Sequence, residues 1–104
     1  MRTERLDDGV FRTEGPNGLV VLTEAMPSLR SAAAGFWVRT ASAHETPDKM
    51  GVSHLLEHMV FKGTERRSAH DIALALETRG GSLDAYTGRD HTTYQARILD
   101  TDIP

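Results

Sequence analysis

Two histidines and a glutamate stand at a spacing that suits metal-assisted chemistry. His54, Glu57 and His58 lie within the segment GVSHLLEHMVF. On a helix, which turns by about 100° per residue, side chains four positions apart share a face, so the imidazoles of His54 and His58 can bind one ion. Glu57 falls between them in projection. The spacing therefore predicts a helix with a metal-binding face that carries a carboxylate beside two ligands.

These donor types favour zinc and hydrolysis. Zinc binds neutral imidazole nitrogens and tolerates an open position for water, whose pKa it lowers to about 7. Glu57 can accept the proton of that water as it attacks a carbonyl, and can return the proton to the leaving amine. We therefore predict one Zn²⁺ ion held by His54 and His58, with Glu57 as general base. The alternative is a solvated helix whose polar residues merely face water.

Length, charge and cysteine content exclude several other classes of protein. The 104 residues are enough for one domain, and the absence of cysteine excludes disulfides, thiolate metal sites and cysteine nucleophiles. A net charge of −3, without any stretch dense in Lys and Arg, argues against nucleic-acid binding. No apolar run approaches the ~18 residues of a membrane span, and no apolar leader is visible. We therefore expect no nucleic-acid or membrane partner and a cytoplasmic location, with a mitochondrial matrix origin left open.

Strand-like segments lie on both sides of the histidine segment. Asn17-Gly18 signals a turn before the β-prone residues 19–23, and Phe11 marks a partner strand, which predicts a hairpin. Residues 31–40 carry bulk on both faces, including Phe36 and Trp37, which predicts an internal strand with both aromatic rings in the core. Two further strands are predicted around a turn at residues 88–90.

Two helices are predicted between these strands. The first begins with Asp48 as N-cap and runs to about Lys62, before Gly63. It has an apolar stripe opposite the histidines, and this stripe is expected to be buried. Its members are Val52, Leu55, Leu56, Met59 and Val60. The second helix opens with a capping box at Ser68–Asp71 and ends at Gly80-Gly81, with His70 facing solvent.

The order of strands, two helices and strands predicts an α+β fold with a mainly antiparallel sheet and helices packed on one face. Asp100-Thr101-Asp102, followed by Pro104, resembles the entrance to a third helix, because proline favours the first helical turn. We therefore expect residues 1–104 to be the N-terminal part of a single larger domain.

The histidine segment and a second segment together resemble a known family. HLLEH has the order of the inverted zinc-binding motif. GVSHLLEHMVFKGTERRS and GGSLDAYTGRDHTTYQA resemble the pitrilysin-type (M16) metallopeptidases, most closely their mitochondrial-processing-peptidase-like branch, over about residues 18–96. The resemblance implies an incomplete M16-type domain and a zinc endopeptidase that cleaves extended peptides. In that case His54 and His58 are zinc ligands and Glu57 is the general base.

The resemblance also implies a substrate strand, a further ligand and a partner. Asp84, Ala85 and Tyr86 would lie on a strand that holds the substrate backbone, although Asp84 stands where the family has Asn and replaces an amide donor with a charge. The family's third ligand is a Glu roughly seventy or more residues beyond the second His. The resemblance therefore implies that residues 1–104 are truncated before that ligand. A homologous second domain or subunit would close over the site.

Alternatives remain open at this point. A local group could complete the metal site, and the candidates are His44, Glu45, Asp48, Asp84, Asp90 and His91. Two ligands alone bind zinc weakly, so a second interpretation is a non-catalytic peptide-binding or assembly module, whose truncated sheet with exposed faces pairs with another chain or with a second copy of itself as a homo-oligomer. A third is a metal-sensing or metal-buffering protein that uses the histidine pair.

Overall fold

The computed structural model of the protein describes residues 1–103, which form two antiparallel sheets and two α-helices. The first sheet has the order β1-β2-β3 and consists of β1 (Arg2–Asp7), β2 (Val10–Glu14) and β3 (Val20–Glu24). The second has the order β4-β6-β5 and consists of β4 (Ser31–Val38), β5 (Ser82–Thr87) and β6 (Thr92–Leu99). The helices are α1 (Val52–Met59) and α2 (Ala69–Glu77). The α+β prediction is confirmed.

The first sheet contains the predicted hairpin and one strand that was not predicted. β2 pairs with β3, with Phe11 opposite Thr23, and Gly18 adopts a φ of 84° in the turn between them. β1 pairs with the other side of β2, where Arg2 lies opposite Glu14. All residues of β1 are exposed, so the strand has no buried face. Its sequence lacks the alternation of apolar and polar residues by which a half-buried strand is predicted.

The second sheet contains the predicted hairpin of β5 and β6, but β4 is not an internal strand. Within residues 1–103, β4 has only β6 as a hydrogen-bonded neighbour and therefore lies at a sheet edge. The prediction that Phe36 and Trp37 belong to the core is also wrong, because they are 73% and 59% exposed. Large side chains on both faces of a strand do not show that another element covers those faces.

Helix α2 begins as predicted. The Ser68 hydroxyl accepts a hydrogen bond from the Asp71 backbone N–H at 3.1 Å, and the Ser68 N–H donates to the Asp71 carboxylate at 3.0 Å. The hydrogen bond from the Ser68 N–H lowers the pKa of Asp71, and the Ser68 hydroxyl makes the next largest contribution, because both stabilise the charged form. The helix ends before Gly80, whose φ of 73° suits glycine, and it packs against β5. His70 is exposed, as predicted.

Helix α1 is shorter than predicted. It begins at Val52 because residues Pro47–Lys49 form a separate 3₁₀ turn and Gly51 is left-handed, with a φ of 92°, which interrupts the right-handed helical conformation. It ends at Met59 and not near Lys62. Asp48 is therefore not its N-cap, and the prediction of that cap is wrong. A carboxylate further upstream supplies the cap.

The apolar stripe of α1 is exposed in the part of the chain that the structure describes, so the prediction that it is buried is wrong there. Its five side chains are between 42% and 59% exposed, and Ala41 is the one fully buried apolar residue among residues 1–103. The radius of gyration is 16.3 Å, compared with about 13 Å for a compact domain of this length. The helix contacts β5 with its other side, which carries Glu57.

The last described residues form a short 3₁₀ turn, Asp100–Asp102, held by two ion pairs. Arg30 contacts Asp100 at 3.2 Å, and Arg79 contacts Asp102 at 3.0 Å, which ties the turn to the start of β4 and the end of α2. The predicted entrance to a third helix depends on Pro104, which lies outside the described residues. In residues 1–103, no helix has the length and apolar character needed to cross a membrane.

Candidate metal centre

The imidazoles of His54 and His58 converge on one point beside α1. Both side chains are exposed, and their Nε2 atoms lie 3.0 Å apart. The ring centroids are 4.6 Å apart and the ring planes meet at 77°. Two nitrogens bound at about 2.1 Å to one tetrahedral zinc ion lie about 3.4 Å apart. The two rings therefore fit a single ion if they separate by a few tenths of an ångström.

Glu57 completes a cluster of three potential ligands. One donor atom from each of His54, Glu57 and His58 lies within 4.8 Å of the other two. Glu57 is half-buried, and its Oε2 accepts a hydrogen bond from the Thr87 hydroxyl at 2.5 Å. Glu57 stands beside the two imidazoles because of its place on α1. The bond from Thr87, a residue of β5, holds its carboxylate in that position. The structure thus brings together the three residues predicted from the helical spacing.

Glu45 fixes the start of α1. Its carboxylate accepts hydrogen bonds from the backbone N–H groups of Gly51 at 2.9 Å and Ser53 at 2.7 Å. Such N–H groups have no partner inside the helix, so a carboxylate there acts as a cap. The Gly51 N–H, followed by the N–H and hydroxyl of Ser53, lowers the pKa of Glu45, because these bonds favour its charged form.

Replacing Glu45 with Gln is expected to destabilise the protein in a pH-dependent way. Gln keeps one accepting oxygen but turns the second position into an NH₂ donor, which faces a backbone N–H. A carboxyl whose pKa is lower when folded contributes stability fully above its unfolded value, here 4.5, and loses it as the pH falls through the lowered value. Urea unfolding of metal-free protein should show a lower stability than that of the unsubstituted protein at pH 7, and the difference should shrink below pH 4.5. A difference that stays constant down to pH 3 would contradict this role.

None of the local candidates for a third ligand joins the cluster in residues 1–103. Glu45 is engaged in capping. The Nδ1 of His44 accepts a hydrogen bond from the Ala41 N–H at 3.1 Å, and Asp48 accepts one from the Thr46 hydroxyl at 2.6 Å. The Nε2 of His91 lies 3.5 Å from the Tyr86 hydroxyl. Asp84 and Asp90 are exposed and also lie outside the cluster.

The loop before α1 is fastened to the β5–β6 hairpin. Ser42 donates from both its N–H and its hydroxyl to the Gly88 carbonyl, and the Ala43 N–H donates to the Arg89 carbonyl at 2.9 Å. The Thr92 hydroxyl donates to the Thr40 carbonyl at 2.9 Å. These bonds join the loop before α1 to the turn and to β6 of the hairpin. Since Glu45 in the same loop caps α1, the helix is connected to the hairpin through this loop.

Asp84, Ala85 and Tyr86 lie on β5, which has an unpaired edge among the described residues. β5 pairs only with β6, where these residues stand opposite Gln95, Tyr94 and Thr93 in that order. Ala85 is half-buried and shares the face of Thr87, which contacts α1, whereas Asp84 and Tyr86 are exposed on the opposite face. β5, the predicted substrate strand, thus lies next to α1, and the outer backbone edge of β5 is open among the described residues.

The structural roles of two residues near the cluster were not predicted from the sequence. Thr87 is separated from Glu57 by 30 residues and Glu45 from Ser53 by 8, so helical periodicity has no bearing on either contact. The only signal for Thr87 was strand alternation, which places it on the face of Ala85. For Glu45 the sequence suggested only a candidate metal ligand, since the expected cap was Asp48.

The fold and the cluster define an α+β protein with a metallopeptidase-like His-Glu-His helix, and comparison with known proteins identifies the family. The family model described as Insulinase (Peptidase family M16) matches residues 20–104. The chain therefore belongs to peptidase family M16, as the sequence resemblance indicated.

The individual relatives agree with this family. An uncharacterized zinc protease of Streptomyces coelicolor is 50% identical over 95 residues, which cover 91% of this chain and 21% of the relative. A probable mitochondrial-processing peptidase subunit beta of Arabidopsis thaliana is 44% identical over 88 residues, covering 85% of this chain and 17% of the relative. The zinc protease YmxG of Bacillus subtilis, also named as uncharacterized, is 46% identical over 81% of this chain. The chain spans about a fifth of the length of these relatives.

Proposed function

We propose that the complete protein containing this chain is a zinc-dependent endopeptidase that cleaves peptide bonds in extended peptides. The observation that carries the proposal is the convergence of the His54 and His58 Nε2 atoms, 3.0 Å apart, beside the Glu57 carboxylate. His54 and His58 would hold one zinc ion, and a third ligand would come from outside residues 1–103. When bound, zinc supplies a Lewis acid that polarises a carbonyl and makes water more acidic.

Glu57 acts as general base in this proposal. Its carboxylate lies within 4.8 Å of both imidazoles, and the Thr87 hydroxyl bond directs it towards β5. A general base must reach the proton that it accepts within hydrogen-bond distance, and Glu57 is the carboxylate nearest to the histidine pair in the described cluster. Glu57 then carries the proton to the amine that leaves when the peptide bond breaks.

The peptide substrate binds along β5 in this proposal. An edge strand presents unpaired N–H and C=O groups, and an extended peptide can add to them as a further strand. Ala85 and Tyr86 contribute through their backbone, and the exposed Asp84 adds a negative charge to that edge. Because α1 packs against β5, a peptide held there passes close to Glu57.

We also propose that a homologous second domain or a partner subunit closes the site. Relatives of this chain include proteins named as subunit beta of a mitochondrial-processing peptidase, from Arabidopsis thaliana and Blastocladiella emersonii. The imidazoles of His54 and His58 are exposed, and the outer edge of β5 is not covered by residues 1–103. Enclosure would also exclude water from the peptide during cleavage.

The experiment that tests this function is metal removal from the complete protein. Treatment with a chelator should reduce hydrolysis of a fluorogenic peptide by at least about a hundredfold, because both carbonyl polarisation and water activation are lost. One equivalent of Zn²⁺ should restore the rate, and Mg²⁺, which prefers oxygen ligands, should not. Full activity in zinc-free protein would contradict the proposal. Absence of both metal and cleavage, with concentration-dependent oligomers, would favour the non-catalytic assembly module.

A further inference from the structure

We propose that Thr87 is the positioning residue that orients the Glu57 carboxylate for its reaction. This inference rests on the proposed function, since it concerns how the general base of that reaction is held. The Thr87 hydroxyl donates to Oε2 of Glu57 at 2.5 Å, and both side chains are half-buried. Thr87 belongs to neither the histidine pair nor the group of donor atoms around it.

Thr87 is well placed to act as a fixed point. It is the last residue of β5 and stands opposite Thr92, which is 5% exposed and lies on the central strand β6. The Thr92 hydroxyl bonds the Thr40 carbonyl, and the Gly88 N–H donates to the His91 carbonyl at 2.9 Å to close the adjacent turn. Because threonine is branched at Cβ, its χ1 rotamers are restricted. The hydroxyl therefore projects from a constrained backbone.

Glu57, by contrast, has a side chain with three rotatable bonds on a short helix. Without an external partner it would sample several rotamers, and only some of them direct an oxygen towards the histidine pair. In the described residues, Oε2 is occupied by Thr87 and Oε1 accepts no side-chain hydrogen bond. Thr87 thus anchors one oxygen and leaves the other available to accept a proton.

Such anchoring matters because the rate of a reaction between bound groups depends steeply on their geometry. A displacement of about 1 Å in a reacting group can reduce the rate about a hundredfold. The hydroxyl forms its side-chain hydrogen bond with Glu57 and none with His54 or His58, so its removal should alter the chemical step and leave metal binding and substrate binding nearly unchanged.

The test compares three variants of the complete, zinc-loaded protein. Thr87→Val removes the hydroxyl at nearly constant volume and should reduce kcat about 10- to 100-fold, while KM and zinc affinity change less than about threefold. Thr87→Ser retains the hydroxyl and should keep kcat within about threefold of the unsubstituted protein. Thr13→Val is a matched control, because it removes a strand hydroxyl bonded to Thr3 at 3.1 Å on the other sheet, and it should leave kcat unchanged.

A structural measurement accompanies the kinetics. In crystals of the Thr87→Val protein, or of Thr87→Ala if valine prevents folding, the Glu57 carboxylate should leave its position beside β5. A Glu57 that keeps that position, or a serine variant as slow as valine, would overturn the inference. If Thr87→Val is fully active and Glu57→Gln is inactive, the inference is wrong and the proposed function stands. If Glu57→Gln is itself fully active, the proposed function fails.

Discussion

Glu57→Gln in the complete protein is expected to abolish peptide hydrolysis while zinc remains bound. Glutamine has the same size as glutamate, and its amide oxygen can still accept the Thr87 hydroxyl bond, so α1 and β5 should keep their arrangement. The amide cannot take up a proton at neutral pH. General acid–base catalysis contributes about 10²- to 10⁴-fold, and Glu57 serves in both proton transfers, so we expect a loss of at least about 10³-fold.

The measurement combines steady-state hydrolysis of a fluorogenic peptide with zinc analysis of the same sample. Glu65→Gln provides a matched control, because Glu65 is exposed on the segment after α1 and lies outside the His54–Glu57–His58 cluster. The control should retain full activity. Activity of Glu57→Gln within tenfold of the unsubstituted protein, with zinc still present, would remove Glu57 from its proposed role.

His58→Ala is expected to abolish stoichiometric zinc binding and, with it, hydrolysis. The two imidazoles supply two of the donors that zinc needs, and their Nε2 atoms are 3.0 Å apart in the structure. Loss of one ring leaves a single imidazole on α1, and a site reduced in this way holds its ion weakly. We expect the zinc content after dialysis to fall from about one ion per chain to less than a tenth of that, and the same result for His54→Ala.

The control for the histidine variants is His70→Ala. His70 is exposed on α2 and lies outside the cluster, so its removal should change neither zinc content nor activity. Thermal unfolding in the presence of a chelator separates loss of the ligand from loss of the fold. All three variants should then unfold at the same temperature as the metal-free unsubstituted protein. Full zinc occupancy in both His54→Ala and His58→Ala would show that the ion lies elsewhere.

The clustering of the three candidate site residues was predictable because they lie within about one turn of helix. His54, Glu57 and His58 are brought together by helical periodicity alone, and α1 includes all three. The same holds for the Ser68–Asp71 capping box and for the β5–β6 hairpin, in which the interacting residues are close in sequence. Local patterns carry this kind of information well.

The support of the site was not predictable, because it depends on contacts between distant segments. Glu45 was predicted as one candidate metal ligand, yet it caps α1, and Thr87 was given no role from the sequence, yet it holds Glu57. The exposure of Phe36 and of the apolar stripe on α1 has a related cause. Periodicity shows which face of an element is apolar, whereas burial depends on whether another element covers that face.

The most direct test of the histidine pair as a zinc site is anomalous diffraction at the zinc edge from crystals of the complete protein. We predict one peak of about full occupancy, about 2.1 Å from both Nε2 of His54 and Nε2 of His58, with the Glu57 carboxylate near it but not bonded to it. Crystals grown with zinc that show no anomalous peak at this position, and imidazoles that point away from each other, would contradict the account.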